Sequence, residues 1–217
     1  MYTVARNDIA RFMRRLYQQG LTTAFGGNLS VRVSAKHVLL TGSKSDKGLL
    51  RGDQVGVLTL AGENLTPAII PSIEAEMHLE LYRRYPAIAA IVHAHPPHAS
   101  AFCASRERIN THLVAESYTN LGEPVMAPYA LMGTRKLAEA VAAAAAESCC
   151  VLLQNHGVLT TGRTLLEAFD RIEVLECAAR LTLLTRQLGA VHELTVAQLR
   201  ELDRVLGRNG QRGKEKR

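Results

Sequence analysis

The chain holds no tryptophan, and aromatic residues make up only 5% of its 217 positions. A surface that stacks single-stranded bases needs aromatics interleaved with basic residues. No such stripe occurs, so nucleic acid is not an expected partner. Apolar runs are short as well. None reaches the roughly 18 residues of a membrane span, so no membrane partner is expected either. The opening stretch "MYTVARNDIARFMRRLY" lacks the apolar core of a secretory signal. Cys103, Cys149, Cys150 and Cys177 show no CxxC spacing. They read as reduced core thiols of a cytoplasmic protein rather than as a redox or zinc site. There is no internal repeat and no linker.

What the chain does have is a net charge of +6. Part of it sits in the last ten residues, "RNGQRGKEKR". The expected organisation is one domain over residues 1–208 and a basic flexible tail over 209–217. The remaining excess is diffuse and suits anionic small substrates.

Strands and helices alternate along the whole length. Ile9, Phe12, Met13 and Leu16 share one face of a helix over 5–19, ended by Gly20. Strands follow in "FGGNLSVRV", "HVLLTG" and "QVGVLTLAGE". Pro71 and Ser72 open a helix through Tyr85, with Ser72 as N-cap and Glu74 in the first turn. "AIAAIVHAH" is a buried strand. An irregular stretch leads to a helix over 134–147, then the strand "CCVLLQ". Helices near 165–188 and 195–206 complete the chain.

Three histidines carry the chemistry. His93 and His95 lie at i and i+2 of a strand, on one face and about 7 Å apart. Two buried imidazoles on one face need partners. His156 follows the second apolar strand, beside Gly157, which permits close approach, and Asn155, which can orient the ring. Three imidazoles on stiff elements suit a divalent transition metal with one position open to substrate. His98 lies past two prolines and is not counted as a ligand. His37, His78, His112 and His192 are assigned to solvent or packing. Glu74 can serve the helix dipole alone. Its helix leads straight into the histidine strand, however, so it can also ligate a metal or move a proton beside it. Glu76 lies about 200° around the helix and faces elsewhere. The glycine-rich turns "FGGNLS" and "TGSKS" expose N–H groups that can cradle a phosphate, with Asn28, Ser30, Ser43, Lys44 and Ser72 as further donors.

In order, "GGNLSVR", "LTGSKSDKG", "PSIEAEMHLELYRRYP", "AIVHAHPPHASAF", "APYALMGT" and "VLLQNHGVLTTG" resemble the class II aldolase/adducin family, in particular its fuculose-phosphate aldolase branch. The resemblance runs from about residue 5 to residue 190. It implies one three-layer α/β/α domain with a central, largely antiparallel sheet. It also implies a four-fold symmetric homotetramer with active sites at subunit interfaces. By position, His93, His95 and His156 match the zinc ligands. Glu74 matches the glutamate that binds the resting metal and shuttles a proton. Gly27, Asn28, Ser43 and Ser72 match phosphate-binding positions. Manganese or cobalt would suit the same ligands.

Three positions depart from the aldolase pattern. Ile73 replaces a second serine. Lys44 stands where relatives usually have glycine, and its ammonium can compensate for the lost donor. Val114 replaces a tyrosine that protonates the aldehyde oxygen, with Tyr118 four residues on as a candidate substitute. The implied reaction is aldol cleavage of a short ketose 1-phosphate to dihydroxyacetone phosphate and an aldehyde through a metal-stabilised enediolate. A dehydratase or a decarboxylase of a related phosphorylated sugar or sugar acid is the alternative. An adducin-like interaction module would have lost the histidines, and a structural zinc protein would close its site with a fourth ligand.

Overall fold

Alternating apolar residues in the strands send the core to both faces of one sheet. A computed structural model describes residues 1–207. The expected tail at 209–217 lies outside these. Seven strands run β1 (Asn28–Arg32), β2 (His37–Thr41), β3 (Val55–Thr59), β4 (Ala90–Ala94), β5 (Val125–Ala127), β6 (Cys150–Leu153) and β7 (Gly157–Gly162). Their order across the sheet is β3-β2-β1-β4-β7-β6-β5. Only β5 and β6 pair in parallel. The helices are α1 (Thr3–Gln18), α2 (Ala75–Arg84), α3 (Pro97–Cys103), α4 (Ala115–Leu121), α5 (Arg135–Ala145), α6 (Leu165–Leu188) and α7 (Val196–Val205).

Leu29, Leu39, Val57 and Val92 pack with Phe12 and Met13 of α1, Phe102 of α3, and Phe169 and Ile172 of α6. Their strand neighbours Val38, Leu40 and Ile91 point the other way, onto Met77 and Leu81 of α2 and Leu137 and Val141 of α5. The result is the expected three-layer α/β/α arrangement, its sheet largely antiparallel. Among the described residues, no helix is long and apolar enough to cross a membrane.

The structure corrects several sequence-based expectations. The stretch expected to be irregular contains α3, α4 and β5. β7 completes a hairpin with β6. Ser72 does not cap α2: the helix begins at Ala75, Glu74 holds the N-cap position, and residues 72–75 form a turn closed from Ala75 N–H to the Ser72 carbonyl. All four cysteines are free, but Cys177 is exposed and Cys149 only half-buried. Cys177 lies about 200° around α6 from the buried Leu175 and Ala179, on the solvent side.

Strand register gathers the functional residues at one end of the sheet. Asn28 opens β1 opposite His93 near the end of β4, and Ala94 lies opposite Val158 at the start of β7. The β6–β7 turn carries His156 to the same end. β2 also ends there, with Thr41 Oγ1 accepting from the Leu29 N–H.

Candidate active site

His93 shares its sheet face with Ile91, and so points into the layer that holds α2. It is fully buried. Its Nδ1 lies 2.9 Å from the Val158 carbonyl, which can only accept. Nδ1 therefore carries the proton, and Nε2 presents a lone pair. His95 continues the alternation just past β4. The ring centroids of His93 and His95 are 4.9 Å apart, those of His93 and His156 are 4.9 Å apart, and those of His95 and His156 are 5.4 Å apart. One nitrogen from each falls within 4.8 Å of the other two. Tight backbone makes this possible. A Cβ on Gly157 would stand 2.4 Å from His95 Cδ2, and one on Gly26 would stand 2.8 Å from His95 Nδ1. Asn155 shapes the turn through left-handed backbone, φ 56°. It makes no side-chain hydrogen bond to His156 among the described residues, so it presents that ring without orienting it.

Glu74 reaches this cluster from the turn before α2. Its Oε1 lies 3.1 Å from His156 Nε2, and its Oε2 lies 3.3 Å from His93 Nε2. Both Glu74 Oε1 and His93 Nε2 are buried without a hydrogen-bond partner. Each such deficit costs roughly 1–3 kcal/mol. A cation among the three imidazoles and the carboxylate would satisfy both atoms, so the donor set fits a divalent metal. Burial pushes the Glu74 carboxyl up, but His93, the Asn28 hydrogen bond, His156 and His78 outweigh it and hold the group below its ordinary value. Burial, with His93 and His156 beside it, pushes His95 down to about 3, so it stays a neutral donor. His156 is lowered for the same first reason.

The glycine-loop residues sit around this centre. Gly27 is buried with φ 69°, and a Cβ there would meet the His93 carbonyl at 2.8 Å. Gly27→Ala should therefore cost roughly 2–4 kcal/mol in urea unfolding, combining left-handed strain with overpacking. A variant as stable as the parent would refute this account. Asn28 donates to Ser72 Oγ at 3.1 Å and to Glu74 Oε2 at 2.7 Å. Ser72 Oγ also accepts from the Glu74 N–H at 3.2 Å. Both acceptor positions of that hydroxyl are used, so its own proton remains available to a ligand. The Ser43 N–H is spent on the Ile70 carbonyl. Lys44 is exposed in left-handed backbone, φ 55°, a conformation that favours glycine.

Two residues near the site were not singled out from the sequence. Lys47 is buried, and its Nζ donates to the Gly42 carbonyl at 2.7 Å and to Ser45 Oγ at 3.1 Å. Its N–H donates to the Ala24 carbonyl, so it ties the two glycine-rich turns together. Burial lowers its ammonium to about 8. His78, assigned to packing, is fully buried and bonded to Asn28 and Ser30. Burial lowers it from 6.5 to about 3. Between those values the unfolded chain holds the extra proton, so stability falls as pH drops from 6.5 toward 3. Metal-free protein should lose about 2 kcal/mol between pH 7 and 5 through His78 alone. Denaturation of wild type and His78→Gln at both pH values checks this; parallel losses would refute it. His98 and Glu76 stay out of the centre, as expected: His98 Nδ1 lies 2.6 Å from Glu176, and Glu76 pairs with Arg83 at 2.7 Å.

Known proteins resemble this chain over most of its length. The 3-oxo-tetronate 4-phosphate decarboxylase of Haemophilus influenzae is 34% identical over 195 residues, spanning 88% of this chain and 91% of that protein. The L-fuculose phosphate aldolase of Methanococcus maripaludis is 30% identical, spanning 83% and 99%. A solved structure of L-fuculose 1-phosphate aldolase superposes with a TM-score of 0.86 at 28% identity, covering 95% of this chain and 98% of that one. The family profile described as Class II Aldolase and Adducin N-terminal domain matches residues 7–183, and the chain belongs to that family.

Proposed function

We propose that the chain is a metal-dependent lyase that breaks the carbon–carbon bond next to the carbonyl of a short phosphorylated sugar or sugar acid. The observation that carries this is the pair of unpartnered buried atoms, Glu74 Oε1 and His93 Nε2, both at the histidine cluster. His93, His95, His156 and Glu74 would hold the ion, with zinc expected and manganese or cobalt suited to the same donors. A bound ion supplies Lewis acidity, stabilising negative charge on substrate oxygens as the bond breaks. Glu74, buried and anionic, is placed to move a proton at the carbon beside the carbonyl. The Ser72 hydroxyl, the Gly27 turn, Ser43 and Lys44 would hold the phosphate and fix the substrate's reach into the site. Asn28 serves that loop by holding Ser72.

Decarboxylation of a 3-oxo sugar acid phosphate is the reading placed first. Aldol cleavage needs a group to take the proton from the hydroxyl that becomes the carbonyl of the departing aldehyde, whereas carbon dioxide leaves without one. Val114 offers no such group. Tyr118 is fully buried, and its hydroxyl donates to Asp203 at 2.9 Å. Aldol cleavage of a ketose 1-phosphate is the second reading, supported by aldolase relatives 30–32% identical. A homotetramer whose subunits meet at the sites would cover the exposed Ile73 (64%), next to Glu74 in the sequence, and Tyr129 (58%) and Leu131 (62%), in the stretch whose Gly133 lies against Ile73.

The test is product analysis of metal-loaded protein with 3-oxo-tetronate 4-phosphates and ketose 1-phosphates. Carbon dioxide with equimolar dihydroxyacetone phosphate supports decarboxylation. Dihydroxyacetone phosphate with an aldehyde moves the assignment to aldolase, and substrate loss with neither product moves it to dehydratase. Bound metal without turnover on the whole panel overturns the proposal.

A further inference from the structure

Helix α2 repeats a polar group every turn on its inner face: Glu74 just before it, then His78 and Tyr82. Strand β1 answers with Asn28 and Ser30, two residues apart on the facing side. These five side chains interdigitate into one buried chain. Asn28 Nδ2 lies 2.7 Å from Glu74 Oε2, and Asn28 Oδ1 lies 2.5 Å from His78 Nε2. His78 Nδ1 lies 2.6 Å from Ser30 Oγ, which lies 2.8 Å from the Tyr82 hydroxyl. Each of the five is at most 6% exposed.

We infer that His78 and Asn28 are positioning residues that hold one oxygen of Glu74 fixed and leave the other to carry the proton. The inference rests on the role proposed above for Glu74. Its logic is the direction of the hydrogen bonds. An ionised carboxylate only accepts, so the Asn28 atom facing it is the amide nitrogen. The Asn28 oxygen therefore faces His78 and must receive a proton from Nε2. A neutral imidazole has one N–H, so Nδ1 is bare and accepts from Ser30. Ser30 in turn accepts from Tyr82. The burial of His78 favours the neutral ring. A single polarity thus runs from Tyr82 to Glu74 Oε2 and allows no rotamer or tautomer to be exchanged without breaking a buried bond. Glu74 Oε1 lies outside this chain and has no hydrogen-bond partner. The two carboxylate oxygens have different duties: Oε2, beside His93 Nε2, is anchored by Asn28, and Oε1, beside His156 Nε2, is not anchored.

The test uses the whole chain. Nitrogen-15 spectra of the metal-free protein at pH 7 should show His78 as the Nε2–H tautomer with an unprotonated Nδ1. Zinc affinity, measured by competition with a chelating dye, should fall about 10–100-fold in His78→Leu and recover largely in His78→Gln, which keeps a donor at the Nε2 position. Tyr82→Phe, which keeps the ring, should shift affinity in the same direction by a few-fold, and it stands in if His78→Leu does not fold. On a turned-over substrate, kcat should fall with affinity for zinc saturated, while KM stays within about threefold. An Nδ1–H tautomer or an imidazolium overturns the inference. So does a folded His78→Leu that binds zinc as wild type, or a His78→Gln no better than leucine. Failure of every substrate with these metal and tautomer results intact would count against the lyase reading alone.

Discussion

Glu74→Gln should lower turnover by about 10³-fold, near the middle of the range for loss of a positioned acid/base. The substitution keeps the shape and keeps an oxygen that can accept from Asn28. What it removes is charge and basicity. The wild-type carboxyl is held below its ordinary value by neighbours that favour the anion, despite burial. An amide at this place cannot take or return a proton at the substrate carbon. KM should change little, because the glycine turns proposed to hold the phosphate lie on other segments. Steady-state kinetics with zinc saturated checks the split, and circular dichroism confirms the fold. Turnover above about a tenth of wild type would remove Glu74 from the chemistry.

The role proposed for this carboxylate would serve both activities found among the relatives. Loss of carbon dioxide from a 3-oxo-tetronate 4-phosphate leaves dihydroxyacetone phosphate once the carbon is protonated. Cleavage of a ketose 1-phosphate leaves the same three-carbon product. The half of the reaction that Glu74 would serve is common to both. On the proposed reading the difference lies in what departs, and so would be set around Val114 rather than in the histidine cluster.

How far the sequence revealed these features depended on whether a signal was local. His93 and His95 were legible because strand alternation fixes their shared face. His156 was legible because a glycine beside it permits a turn. The irregular reading of 96–133 failed where structure depends on distant partners. α3 is seven residues long, and the first N–H groups near its start, at His98 and Ala99, are satisfied by Glu176, 77 or 78 positions away. β5 has three residues and pairs in parallel with β6. Ser72 read as a helix cap because a serine before a glutamate resembles one. Its hydroxyl does accept from the Glu74 N–H, but in a turn ahead of the helix. His78 was the costliest omission. The sequence carried its signal, Glu-x3-His-x3-Tyr on a helix, but meaning came only with Asn-x-Ser on the strand it faces, about fifty residues earlier.

Stripping the metal should abolish turnover and destabilise the fold together, because the atoms left behind are buried. Without an ion, Glu74 Oε1 and His93 Nε2 have no hydrogen-bond partner, and burial disfavours the protonated forms of His95 and His156 that could offset the carboxylate charge. An ion held at about a thousand times its dissociation constant stabilises the native state by about 4 kcal/mol. For a chain of this length that is a melting shift of roughly 10 °C. Dialysis against a chelator should therefore leave under about 1% of activity, since the Lewis acid contributes several kcal/mol to the barrier. Adding zinc, manganese or cobalt should restore both activity and melting temperature, to degrees set by each ion's preferred geometry. His95→Ala should mimic the chelated state while sparing the Asn28–Glu74 contact, because its ring takes no part in that hydrogen-bond chain. Full activity in metal-free protein, or a melting temperature indifferent to added metal, would leave the unpartnered atoms unexplained and the lyase assignment without its centre.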